Sequence, residues 1–132
     1  DQGSQFDKNG NLRNWWSKQD AENFKKRTQV MRDFFDKIEV LPGLHANGQL
    51  TLGENIADHG GLNIAYQALQ NAMKENPLTT KDGFTPEQRF FLSYGLVWAK
   101  TMREPMLRQL VKVAPDSPVV WRVNGALPHI DA

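Results

Sequence analysis

The 132-residue sequence contains no cysteine. This absence excludes a disulfide framework and any zinc site built from thiolates. No apolar run approaches the roughly 20 residues that a membrane-spanning helix requires, so no membrane anchoring is predicted from these residues. An excess of one charge is also lacking, because 16 basic residues face 15 acidic ones and give a net charge of +1. The sequence therefore offers no electrostatic basis for binding nucleic acid.

Helical periodicity is what the sequence does contain. Apolar side chains recur at steps of three and four after Ser17, which is a suitable N-cap, and Thr85-Pro86 is a second strong helix start. The predicted helices run from Ser17 to Pro42-Gly43 and over about residues 52–76, 86–102 and 105–113. Loops are predicted at 42–50 and 77–84, and the tail from 114 to 132, which holds three prolines, is predicted to be extended or irregular. The predicted class is mainly α.

The apolar residues predict where the core lies. The helix over 86–102 is apolar on more than one stripe, which predicts a central position. The aromatic side chains are expected to be mostly buried in the core; they are Trp15, Trp16, Phe34, Phe35, Phe90, Phe91 and Trp98. The chain is long enough for a single compact unit.

One segment, residues 53–61, carries the chemistry. Glu54 and Asp58 lie one turn apart on the predicted second helix, so both carboxylates leave the same face. Gly60-Gly61 follows inside the helical run, where each glycine costs about 1 kcal/mol relative to alanine, and this predicts a close approach to the backbone. The two carboxylates suit a metal site in which one acid is a ligand and the other orients a neighbouring ligand.

Other interpretations of these residues stay open. Thr51-x-x-Glu54 also fits a capping box, in which the glutamate bonds to the N-cap amide. Asp58 equally fits a solvated helix-face acid, and Asn55 and His59 fit polar surface. His59 points about 100° away from Asp58, so the segment alone does not complete a zinc site.

Three further polar residues lie outside this segment. His45 and His129 are isolated in sequence and are expected to be satisfied polar residues rather than ligands. Arg122 stands between two apolar residues, so it is predicted either to reach into a site and bind a carbonyl or carboxylate, or to form a salt bridge.

Residues 51–62 resemble the neprilysin family of zinc metallopeptidases, which includes the endothelin-converting enzymes and bacterial oligopeptidases. The likeness continues along the whole chain in order. Its further motifs are Asp1-x-Gly3 with Asn11-Leu-x-x-Trp15-Trp16, Phe90-Phe91-Leu92 with Val97-Trp98, and Ser117-Pro118 with Arg122-Val123-Asn124-Gly125. The last of these is similar to the family's final active-site strand and loop. The fold implied is the helical C-terminal portion of a zincin-like catalytic domain.

The resemblance implies a role for individual residues. Glu54 matches the third zinc ligand, and Asp58 matches an acid that orients a zinc-bound histidine. Val97 and Trp98 match residues that line the pocket for the side chain after the cleaved bond. Arg122 matches an arginine that contacts bound substrate. The activity implied is zinc-dependent hydrolysis of peptides, located outside the cytoplasm.

Two departures from the family pattern bear on activity. The His-Glu-x-x-His motif is absent, so residues 1–132 are interpreted as a fragment of the catalytic domain that lacks this helix. Such a fragment is expected to be inactive alone, to bind zinc weakly if at all, and to self-associate through exposed apolar surface. Asp116 occupies the position of a histidine that donates to the transition-state oxyanion, where a carboxylate would repel negative charge. This substitution keeps a second hypothesis open, a non-catalytic helical interaction module.

Overall fold

A computed structural model describes residues 2–130 of the chain. Asp1, which belongs to the first matched motif, lies outside the described residues, as do Asp131 and Ala132. The structure is mainly α, as predicted, with a single two-stranded sheet within the described part. Its elements in chain order are α1 (Lys18–Asp36), β1 (Glu39–Leu41), β2 (Leu44–His45), α2 (Leu52–Glu75), α3 (Pro86–Val97), α4 (Glu104–Val113) and α5 (Val119–Asn124), with 3₁₀ turns at Gln2–Gln5 and Leu127–His129.

Capping boxes start two of the helices where the sequence predicts them. At α1 the Ser17 hydroxyl accepts a hydrogen bond from the Asp20 amide at 3.1 Å, and the Asp20 carboxylate accepts one from the Ser17 amide. Thr85 and Gln88 make the same reciprocal pair at α3. These bonds satisfy amides that a helix start otherwise leaves without partners.

A short hairpin replaces the loop predicted after the first helix. Helix α1 ends at Asp36, and β1 and β2 then pair antiparallel with Glu39 opposite His45. Gly43 turns the chain with a φ of +72°, a conformation that glycine adopts without strain. The Glu39 carboxylate accepts a bond from the Gly43 amide at 2.7 Å, which closes the turn.

The core lies where α1, the hairpin and α5 meet. Phe35, Ile38 and Ala46 are buried together, and Met31, Phe34, Val40 and Trp121 pack against them. A Cβ atom built at Gly125, just after α5, would lie 2.6 Å from the Phe35 ring. Only glycine therefore allows the end of α5 to close on this core without a shift.

The predicted central position of the third helix is wrong. Helix α3 has no buried residue in the described chain, and it ends at Val97 rather than 102. Leu92, Leu96 and Val97 are exposed on it. Trp15 is also exposed, against the expectation that the aromatics are mostly core, and Phe35 is the aromatic residue that the described structure fully buries.

The tail is helical rather than extended, and it holds no strand over the described residues. Pro118 is the N-cap of α5, and Pro128 lies in the 3₁₀ turn Leu127–His129. Proline lacks an amide hydrogen, and the first turn of a helix does not need that hydrogen. Prolines therefore start these turns instead of preventing them.

Candidate active site

Glu54 lies in the first turn of α2 with its side chain exposed. Its carboxylate makes no hydrogen bond or ion pair with any of residues 2–130. The capping-box interpretation is wrong, because the Thr51 side chain makes no capping bond and instead donates to the Asn47 carbonyl at 3.0 Å. The Glu54 carboxylate is therefore available to a group outside the described chain.

Asp58 is part of a partly buried ion pair and is not a solvated helix-face acid. Its two carboxylate oxygens accept bonds from Nε and Nη2 of Arg122 at 2.7 and 2.6 Å. The two side chains are only 12% and 14% exposed. A bidentate arginine–carboxylate contact of this kind fixes both position and orientation. The pair joins α2 to α5 across 64 residues of sequence.

Arg122 is held on two further sides. Its Nη1 donates to Asp116 at 2.8 Å, and its guanidinium carbon lies 3.9 Å from the centre of the Trp98 ring. The stacked indole adds a cation–π contact. The hydrogen bonds that Arg122 donates to Asp58 are the main cause that raises the pKa of Arg122, and burial acts in the opposite direction. The arginine is thus charged and immobilised.

Tyr94 closes the same cluster from α3. Its hydroxyl donates to the Arg122 carbonyl at 3.1 Å. Burial is the main cause that raises the pKa of the Tyr94 phenol, and the charge of Asp58 raises it further. The hydroxyl therefore stays protonated and available as a donor.

A second link between α2 and the tail runs through Asn55. This side chain is buried, so its interpretation as polar surface is wrong. Its amide nitrogen donates to the Thr51 hydroxyl at 2.9 Å, and its carbonyl oxygen accepts from the buried Ser117 hydroxyl at 2.7 Å. Nothing in the sequence identifies this pair, apart from the presence of Asn55 and Ser117 in two of the matched motifs.

The histidines do not form a metal centre in the described structure. The His59 ring lies 2.8 Å from the His129 carbonyl and 3.3 Å from the Asn63 amide nitrogen. The His129 ring packs edge-on against Phe34. His45 is exposed on β2. No group of three or more potential ligands converges anywhere in residues 2–130.

A cleft of about 550 Å³ opens beside the arginine cluster. Trp98, Asp116 and Arg122 line it together with apolar side chains of α4, including Leu107 and Leu110. Val97, which was expected to line a substrate pocket, is 73% exposed and does not line this cleft. The predicted residues Asp58, Trp98, Asp116 and Arg122 are thus brought together, whereas Val97 is not.

The close approach expected at Gly60-Gly61 is not present within the described structure. A Cβ atom at either glycine would meet nothing within 4 Å. The glycines therefore leave open space along α2, on the helix that also carries Glu54. Among the described residues, no helix is long and apolar enough to cross a membrane.

Comparison with known proteins identifies the family. The model of Peptidase family M13 matches residues 1–132. The chain belongs to this family. Human endothelin-converting enzyme 1 is 42% identical over 133 residues, which cover 98% of this chain and 17% of that protein. Rabbit (Oryctolagus cuniculus) neprilysin is 39% identical over 134 residues, covering 98% of this chain and 18% of that protein.

A solved zinc metalloprotease structure has the same fold. The crystal structure of the Mycobacterium tuberculosis zinc metalloprotease Zmp1 in complex with an inhibitor matches with a TM-score of 0.86 and 35% identity. The match covers 99% of this chain and 21% of that one. The resemblance to the neprilysin family is therefore confirmed, as is the helical metalloprotease fold. The chain spans about a fifth or less of the length of these relatives.

Zmp1 is a zinc metalloprotease, so the donors of this chain bear on whether it could hold zinc. Among the described residues, Glu54 offers a carboxylate without a partner on the face of α2 that also bears Asp58. The described residues contain no group of three or more side chains that could together hold a metal ion. The donor set fits one position of a zinc site and does not fit a complete one.

Proposed function

We propose that this chain is the C-terminal part of the catalytic domain of a zinc-dependent endopeptidase that cleaves peptides. The observation that carries the proposal is the unpaired carboxylate of Glu54, in a chain that belongs to Peptidase family M13 along its whole length. Glu54 lacks a partner, whereas both carboxylate oxygens of the partly buried Asp58 are paired. An unpaired carboxylate suits a metal ligand when other residues complete the coordination. Glu54 would hold zinc together with two histidines of a His-Glu-x-x-His motif outside residues 1–132. Zinc supplies Lewis-acid polarisation of the scissile carbonyl when bound.

The other residues of the cluster would position the substrate. Arg122 has five N–H donors, of which three are used by Asp58 and Asp116, so two remain for a peptide carbonyl or carboxylate. Trp98 would provide the apolar wall of the pocket after the cleaved bond, and Val97 would join it only where further chain covers that residue. Asp58 would orient a zinc-bound histidine through a carboxylate that Arg122 already fixes. The location proposed for the whole enzyme is outside the cytoplasm, by analogy with the neprilysin family.

A test starts from the full-length peptidase that contains this chain. The variant Glu54→Gln removes one anionic ligand without changing the size of the side chain. We expect loss of stoichiometric zinc, measured by plasma mass spectrometry, and a fall of at least about 100-fold in peptide hydrolysis. Glu75→Gln, at the exposed end of α2, is the matched control and retains both. Full zinc content and full activity in Glu54→Gln would show that another residue is the ligand.

The competing hypothesis is a non-catalytic helical interaction module, and Asp116 supports it because this position carries a histidine in the family pattern. The same experiment separates the two. A wild-type protein that holds no zinc and hydrolyses no peptide, while remaining folded, favours the interaction module. For the 132-residue chain alone, we expect no hydrolysis and no zinc at equimolar occupancy.

A further inference from the structure

Asp116 is the residue at which this chain departs from the family pattern, and the structure places its side chain in a defined contact. One carboxylate oxygen accepts a bond from Arg122 Nη1 at 2.8 Å. An ionised carboxylate accepts hydrogen bonds and has none to donate. An ionised Asp116 therefore cannot donate a hydrogen bond to a developing oxyanion. Its contact with Arg122 indicates a different role.

The backbone beside Asp116 is anchored independently of that contact. The next residue, Ser117, is 3% exposed and bonds to Asn55 on α2. Asp116 itself is 51% exposed, so burial does not hold its side chain. The Ser117–Asn55 bond thus fixes where the Asp116 carboxylate is presented to Arg122.

These contacts form a closed circuit that begins and ends on α2. Asp58 binds Arg122, Arg122 binds Asp116, and Ser117 returns to Asn55, three residues before Asp58. While these contacts hold, the two unused N–H groups of Arg122 keep one orientation. Because Arg122 and Asp116 both line the cleft of about 550 Å³, the circuit orients the donors at the cleft wall.

We propose that Asp116 is a positioning residue, which acts through Arg122 to hold its two remaining donors toward a peptide carbonyl or carboxylate in the cleft. The inference rests on the proposed peptidase function. Asp116 does not take the role that the resemblance implies for a histidine at this position. It sets the geometry of substrate binding and does not contact the reacting oxygen. Loss of Asp116 therefore weakens substrate binding more than it slows the chemical step.

The test is a double-mutant cycle in the full-length peptidase. We expect Asp116→Ala to raise KM about tenfold and to change kcat by less than about twofold. Asp116→Asn keeps an acceptor for Nη1 and should lie between wild type and Asp116→Ala. In an Arg122→Ala background, Asp116→Ala should have no further effect on KM. Asp33→Ala, at an exposed acid of α1, is the control for a change of net charge.

Three results would overturn the inference. An Asp116→Ala effect of equal size in the presence and absence of Arg122 would mean that Asp116 acts elsewhere. An Asp116→His variant with a kcat several-fold above wild type would mean that the position still serves the reacting oxygen and that its donor has been lost. A change in kcat alone, with KM constant, leads to the same conclusion.

The outcome remains separable from that of the proposed function. Turnover that is insensitive to Asp116→Ala overturns the inference and leaves the peptidase function intact. If the wild type has no turnover, the affinity of the metal-free protein for a peptide is measured by calorimetry instead. A tenfold loss of affinity in Asp116→Ala then supports positioning while the peptidase function fails, and unchanged affinity or no binding overturns both.

Discussion

The start of α2 and the whole of α3 differ in burial although both are rich in apolar residues. Over residues 51–62, Leu52, Asn55 and Leu62 are buried, and the side chains of Asn55 and Asp58 are hydrogen-bonded. Helix α3 has no buried residue, and its Leu96 is 75% exposed. Apolar composition alone therefore does not determine which helix becomes central.

The difference lies in what each helix packs against. The start of α2 is bonded to the tail through Asn55 and Asp58, so the described chain supplies its covering elements. Helix α3 bonds to the tail through Tyr94, and Trp98, just after the helix, stacks on Arg122. Phe84, Leu92 and Leu96 lie along an open groove. Burial is thus a property of the partner as much as of the helix.

The largest effect is expected from truncation inside the well-packed region. Leu52 is 1% exposed, so Leu52→Ala removes buried methyl groups and leaves a cavity. We expect a loss of about 2–5 kcal/mol in the free energy of unfolding, measured by urea denaturation of the chain. Leu96→Ala removes the same atoms from an exposed position and should change stability by less than about 0.5 kcal/mol. Equal losses in the two variants would show that α3 is buried in solution.

A smaller effect is expected from the polar link. Asn55→Ala leaves the Ser117 hydroxyl buried without its acceptor, which costs about 1–3 kcal/mol. Asn71→Ala, at an exposed position of the same helix, is the control and should cost about 0.5 kcal/mol or less. Thermal unfolding followed by circular dichroism provides the measurement. A Tm equal to wild type in Asn55→Ala would mean that water replaces the amide.

The helix starts were predictable because they depend on residues close together in the sequence. The caps at Ser17 and Thr85 depend on residues three apart, so α1 and α3 start where predicted. Helix α2 also has nearly its predicted bounds. The prediction for the tail is wrong because proline disrupts a helix interior, whereas Pro118 stands at a helix start, where it is tolerated.

The site depended on a different kind of information. The ion pair of Asp58 with Arg122 spans 64 residues, and no periodicity within α2 or the tail specifies it. Arg122 was nevertheless a candidate, because it is a lone charge between apolar residues and matches a family motif. Asn55 also lies in a matched motif, but its burial carries no signal, since an amide on a helix face looks the same in sequence whether it is buried or exposed. Its role follows only from the fold.

A third prediction concerns the start of the poorly covered helix. Thr85→Ala removes the side-chain acceptor for the Gln88 amide, and an N-cap of this kind contributes about 1 kcal/mol. We expect a loss of that size in the free energy of unfolding. Thr80→Ala, in the exposed loop before α3, removes the same hydroxyl where it caps nothing. If the comparison of the two helices is correct, local capping is a larger share of the stability of α3 than of α2, where Thr51 makes no capping bond.

The smallest effect on stability, and the sharpest test of the exposed face, comes from Leu96→Lys. Because Leu96 is exposed, a lysine there should leave the free energy of unfolding within about 0.5 kcal/mol of wild type. The same change places a charge on the apolar groove of α3 and should reduce the self-association expected for the chain. Light scattering at high protein concentration measures the mean mass, with Lys74→Gln, on the exposed face of α2, as the control. A wild-type chain that stays monomeric would show that exposed apolar side chains do not associate here. A wild-type dimer that persists in Leu96→Lys would place the contact on another face.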